Sequence, residues 1–246
     1  MSRPRSSPWR DGVLEPAAQR AAEDPPGEPG EPGDPADPAD QGQDEAPGEF
    51  EAEFEAEFDD GAGIAHQVIA VVAAKGGVGK TTVATNLAVG LARQAPLSVV
   101  LVDADVQFGD VATALSLTPA RSLPDTVTAA AADDAMVLKA YLTPHPDGYY
   151  IVCGAESPAD GDRVSGEQLG HLIGQLSEIF RIVIIDTAPG LGEHALAALE
   201  AATHAVFLCD MSVPGARGLR KEIAALTTVG IMPPTRHVVL NFADRV

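Results

Sequence analysis

Lys75-Gly76-Gly77-Val78-Gly79-Lys80-Thr81-Thr82 lies between two stretches of different periodicity. Upstream, Val68, Ile69, Ala70, Val71 and Val72 make a continuous apolar run, which reads as a buried strand; downstream, Val83, Leu87, Leu91 and Ala92 recur at helical spacing. The order is strand, glycine loop, helix. Three glycines allow a tight turn with inward-facing N–H groups, and the helix adds the positive end of its dipole, so the loop suits a polyphosphate. Gly76, Gly77, Val78, Gly79, Lys80, Thr81 and Thr82 are the expected nucleotide contacts, with Lys80 neutralising phosphate charge and the Thr81 hydroxyl ligating magnesium. The common phosphate-loop pattern places a glycine at the position of Ala74; here a second lysine, Lys75, opens the loop.

The same alternation continues. Val99 to Val102 reads as a second strand ending in Asp103-Ala104-Asp105, two carboxylates at the strand end where ligands collect in open parallel sheets; a plain helix-capping role is the alternative for either. Arg121 to Leu142 is alanine-rich and helical in pattern, with Pro124 near a helix start. Tyr149 to Cys153 reads as a third strand, and Ser165 with Gln168 as a capping box opening a helix whose apolar face is Leu169, Leu172, Ile173, Leu176 and Ile179. Ile182 to Ile185 is apolar on both faces, as in a central parallel strand, and ends in Asp186-Thr187-Ala188-Pro189-Gly190. A carboxylate there can hold a magnesium-bound water, so Asp186 reads as the Walker B acid and Thr187 to Gly192 as a switch loop. Val206 to Cys209 and Val238 to Leu240 supply two more strands, with Ser212 and Pro214 starting the helix between them. Alternating strands and helices predict an α/β fold, a parallel doubly wound sheet with helices on both faces.

The loop with its early lysine resembles the deviant phosphate loop of the MinD and ParA ATPase family. Asp103-Ala104-Asp105 with Gln107 resembles that family's V-D-x-D-x-Q segment, Asp186 to Gly190 its D-T-x-P-G, and Asn241-Phe242-Ala243-Asp244 its N-R-x-D. The resemblance implies ATP and magnesium as cofactors and a homodimer closed over two nucleotides. By that match Lys75 reaches the phosphates bound to the partner subunit, Asp103 lies near the magnesium, Asp105 positions the attacking water, and Asn241 contacts adenine. Phenylalanine stands at 242 where the family has arginine. Val106 to Ala112 is similar to the CpaE and TadZ type of pilus-assembly ATPases, which implies protein partners in a pilus, secretion or division apparatus. Members of the family usually continue past the equivalent of Val246 with a further strand and helices, so the domain assigned to 67–246 is expected to lack that end.

Composition divides the chain. Residues 1–66 hold half of the 20 prolines and half of the 36 acidic residues, too little apolar surface to offset the entropy of ordering, and are expected to be a disordered tail. Within it Phe50, Phe54 and Phe58 fall at one helical spacing among glutamates, either a solvated tract or a partner-docking element. The net charge of −20 and the absence of a basic cluster beyond Arg217, Arg220 and Lys221 make DNA an unlikely direct partner. No signal peptide or bilayer-length run is legible, so a cytoplasmic location is expected, with any membrane association made through partners. Cys153 and Cys209 sit in apolar strands without a partner at ligand or redox spacing and read as core residues.

Overall fold

The structure, a computed structural model, describes residues 66–128, 131 and 134–243. The expectations for the acidic segment, its phenylalanine repeat and Asp244 lie outside the described residues. In chain order the elements are β1 (Gln67–Val72), α1 (Lys80–Ala92), β2 (Val99–Ala104), α2 (Val111–Ala114), α3 (Leu123–Thr126), α4 (Ala135–Tyr141), β3 (Thr143–His145), β4 (Tyr149–Val152), α5 (Pro158–Gly161), α6 (Gly166–Ile179), β5 (Ile182–Thr187), α7 (Glu193–Ala201), β6 (His204–Asp210), α8 (Val213–Val229) and β7 (Thr235–Asn241). The seven strands form one sheet in the order β3-β4-β2-β5-β1-β6-β7.

Every pairing is parallel except β3 with β4. The predicted parallel doubly wound sheet is present, with one short antiparallel strand added at its edge. Thr143-Pro144-His145 has no apolar run to announce it, and its proline lacks an N–H for the ladder, which an edge strand tolerates.

Period-two alternation in the central strands builds two cores. Ile69, Val71, Val99, Leu101 and Ile184 face α1, and Val68, Ala70, Val72, Val100, Val102, Val183 and Ile185 face the layer containing α6. Burial on both faces is why these strands read as unbroken apolar runs. From α6 the predicted residues Leu169, Leu172, Ile173 and Leu176 are buried, and its capping box is present, with the Gln168 N–H donating to Ser165 Oγ at 3.2 Å.

On α1 the buried face differs from the expectation. Ala84, Ala88 and Ala92 lie against the sheet, while Val83, Leu87 and Leu91 are only partly covered. Small side chains four apart let this helix lie close on β1 and β5, and a period count weighted toward large residues points to the wrong stripe. The stretch from Arg121 to Leu142 is also not one helix. Ser122 with Asp125 caps α3, and Asp134 caps α4 by accepting from the Met136 and Val137 amides at 2.8 and 3.3 Å. Such side chains compete with helix propagation and start new helices instead. Among the described residues no helix is long and apolar enough to cross a membrane.

Candidate nucleotide site

The loop after β1 turns through two glycines of positive φ, Gly77 at 74° and Gly79 at 92°. Gly79 is the N-cap of α1, and its carbonyl accepts from the Val83 amide at 3.0 Å. A Cβ on Gly79 would come within 2.5 Å of Asn241 Nδ2, so both conformation and space require glycine there. The switch-loop segment is tied to the same strand. The Thr187 hydroxyl donates to the Val71 carbonyl at 2.9 Å, and the Gly190 N–H to the Ala73 carbonyl at 2.9 Å.

Lys80 opens α1 and is only 8% exposed, an unusual setting for an ammonium without phosphate. Its surroundings supply acids. In the β2–β5 register Asp103 stands directly opposite Asp186, and Asp186 is in turn opposite Val71 of β1. Burial pushes Asp186 up to about 6, against the Thr81 hydroxyl and the Lys80 charge, which both favour its ionised form. Among the described residues its Oδ1 has no hydrogen-bond partner. A buried carboxylate oxygen left open beside a threonine hydroxyl and a lysine is a fitting place for a hydrated cation carried in with phosphates, so Thr81 and Asp186 suit magnesium.

Asp103 is built differently. Its two oxygens accept from the Asp105 and Val111 amides at 3.3 and 3.1 Å. Gly109 and Gly154 wall it in, since a Cβ on either would stand 2.5 or 2.8 Å from its oxygens. Burial, with the charges of Asp186 and Asp105 adding, pushes it to about 7 despite those amides. Asp105, half-buried, accepts from the Phe108 amide at 3.1 Å and so shapes the loop that leaves β2.

Asn241, at the end of β7, donates through Nδ2 to the Val78 carbonyl at 2.9 Å, which brings the last strand against the phosphate loop. Asp210, at the end of β6, has its carboxyl held below the ordinary range chiefly by the Ser212 hydroxyl, with the charge of Lys75 a smaller contribution. The sheet thus gathers Lys75, Lys80, Thr81, Asp103, Asp105, Asp186 and Asn241 at its carboxyl edge from four strands. One residue escaped the sequence reading. Glu222 of α8 is 3% exposed and turned toward the Ala74 amide and Lys80, with neither oxygen in a well-formed hydrogen bond among the described residues. Burial pushes it up to about 7. A glutamate on a helix beside Arg220 and Lys221 looks like a surface residue, and only the crossing of α8 over the loop reveals it. Cys153 and Cys209 are free and buried.

A glycine loop capping a helix, a buried lysine, and acids on the neighbouring strand ends define a P-loop nucleotide site. Residues 66–230 match the family described as AAA domain. The chain belongs to the MinD/ParA family of P-loop ATPases. Antiactivator FleN of Pseudomonas aeruginosa is 36% identical over 148 residues, covering 58% of this chain and 51% of that protein. Among solved structures, a ParA family ATPase from Chlorobium tepidum superposes with a TM-score of 0.68 at 22% identity, over 74% of this chain and 76% of that one. The septum site-determining protein MinD of Pyrococcus horikoshii, solved with Mg-ADP, gives a TM-score of 0.60 at 24% identity over 70% and 69%. These structures share the fold. The chain spans only 51–64% of the length of the curated relatives it matches.

Proposed function

We propose that the chain is a Mg-ATP-dependent dimerising ATPase switch that positions or regulates a cellular machine. The observation that carries the reading is the unpartnered, buried Asp186 Oδ1 beside Thr81 and Lys80. Loop amides and Lys80 hold the triphosphate. Magnesium, when bound with it, neutralises charge on the phosphate oxygens. Thr81 and Asp186 would hold that ion and its water, while Asp103 braces the β2 loop through two backbone amides so that Asp105 can orient the attacking water. That water attacks the terminal phosphorus, the bond to the bridging oxygen breaks, and ADP and phosphate result. Lys75 completes the partner's site, and such a group supplied in trans is worth about a thousandfold or more in turnover.

The machine we favour is a pilus or secretion apparatus, on the likeness of Val106 to Ala112 to the CpaE and TadZ branch. A septum-site or chromosome-partitioning role is the neighbouring reading within the family, and the excess of acidic residues weighs against direct contact with DNA. Steady-state ATP turnover of the chain and of its Lys75→Ala form tests the enzyme reading. A fall of at least a hundredfold in the variant is expected; equal rates would make the chain a nucleotide-binding scaffold.

A further inference from the structure

We propose that Glu222 is a positioning residue of the nucleotide site: from α8 it holds the opening turn of the phosphate loop at Ala74, and so sets how firmly the loop amides and Lys80 grip a triphosphate. The assignment rests on the ATPase reading and adds a group that acts through the loop rather than on the phosphates. Three observations lead to it. The first is how closely α8 lies on the loop. A Cβ on Gly218 would stand 3.0 Å from the Ala74 methyl, tighter than side chains ordinarily pack, so glycine at 218 admits the one residue at which this loop departs from the common glycine. Glu222 is one helical turn further along α8, on the same face. The second is the way the loop begins. The Ala73 carbonyl accepts from the Gly190 N–H at 2.9 Å, which ties that residue to the switch-loop segment, and Glu222 is turned toward the next amide, that of Ala74.

The third observation is the carboxyl itself. Glu222 is buried, and among the described residues neither oxygen makes a well-formed hydrogen bond. A carboxyl so placed costs stability that a methionine of the same length would not. What it adds is an acceptor facing a loop amide. Its charge works the other way. The cation facing it is Lys80 of α1, whose charge also reaches Asp186 of β5, while Arg220 and Lys221 on its own helix are exposed. An ionised Glu222 competes with phosphate for Lys80 and repels the phosphates; the uncharged acid keeps its acceptor oxygen and does neither. Burial pushes the group up to about 7, so the uncharged form is well populated near neutrality. Phosphate charge raises it further, and affinity for the nucleotide therefore falls as pH rises past 7.

Titration calorimetry of Mg-ATP on the full chain, with Glu222→Met and Glu222→Gln at pH 6 and pH 8, tests this. Glu222→Met fills the space without an acceptor and should bind about tenfold more weakly than the parent at pH 6, while its melting temperature does not fall. Glu222→Gln restores an uncharged acceptor oxygen. It should bind within about twofold of the parent at pH 6 and roughly fivefold more tightly than the parent at pH 8. Ionisation of Asp103, of Asp186 and of ATP itself is common to both chains and cancels in that ratio. A side chain that only fills space gives glutamine no means of rescue and the ratio no dependence on pH, so the glutamine arm decides even where methionine disturbs the fold. Glu222→Met within about twofold of the parent at pH 6, Glu222→Gln as weak as Glu222→Met, or a glutamine-to-parent ratio equal at the two pH values overturns the assignment. A parent chain that takes up no Mg-ATP overturns the ATPase reading beneath it.

Discussion

Asp186 and Glu222 are both buried carboxylates near Lys80, yet they call for opposite treatments. Asp186 has an open oxygen aimed where a cation belongs, so Asp186→Asn should abolish magnesium-dependent hydrolysis, a loss of at least a hundredfold in steady-state phosphate release, while the domain keeps its melting temperature. Glu222 lies behind the loop, and its folded value of about 7 stands above the ordinary 4.5. Folding therefore favours the protonated form. Its contribution is complete below the ordinary value, shrinks as pH rises toward 7, and stays lost above it. Glu222→Gln should remove that slope and stabilise the domain at pH 8 by about 2 kcal/mol, read from urea midpoints at pH 5 and pH 8. A variant with the same pH profile as the parent would show that Glu222 is solvated or paired. The sequence displayed Lys75, Lys80, Thr81, Asp103, Asp105 and Asp186 because they sit at the ends of apolar runs or in a glycine loop, where period and composition both change. Glu222 was hidden because burial there comes from one helix crossing another segment, a tertiary fact with no local signature.

At the scale of elements, the strands were legible and their company was not. Runs such as Ile182 to Ile185 could be read because both faces of a central parallel strand are covered. The edge strand Thr143–His145 has neither run nor alternation, and α1 conceals its packing face in alanines. The loop joining β2 to α2 depends on Asp103 as an anchor and on Gly109 as the space for it. Gly109→Ala places a methyl carbon 2.5 Å from Asp103 Oδ1, closer than van der Waals contact permits, so carboxylate or loop must move. We expect a loss of about 1–3 kcal/mol in urea denaturation, together with weakened ATP turnover through the displaced Asp105. Unchanged stability and turnover would show that the loop does not lean on Asp103. The capped helix starts at Ser165 and Ser212 were predicted correctly because side-chain oxygen and N3 amide are sequence neighbours.

For the whole molecule, the family follows from the fold and the loop together, whereas the machine it serves depends on surfaces that no motif describes. In the proposed switch Lys75 serves the partner's site, so closure depends on bound ATP. Light scattering should therefore show a dimer with ATP in a hydrolysis-deficient Asp105→Asn form and a monomer with ADP; a single oligomeric state under both conditions would remove the switch. Beneath the switch lies a simpler requirement: loop amides, Lys80, Thr81 and Asp186 together take up a triphosphate with its metal. Calorimetric titration of ATP into the chain with magnesium and with excess chelator addresses it directly. Saturable uptake of one ATP per chain is expected, weakening at least tenfold when magnesium is removed. No uptake by folded protein, or uptake indifferent to the metal, would contradict it.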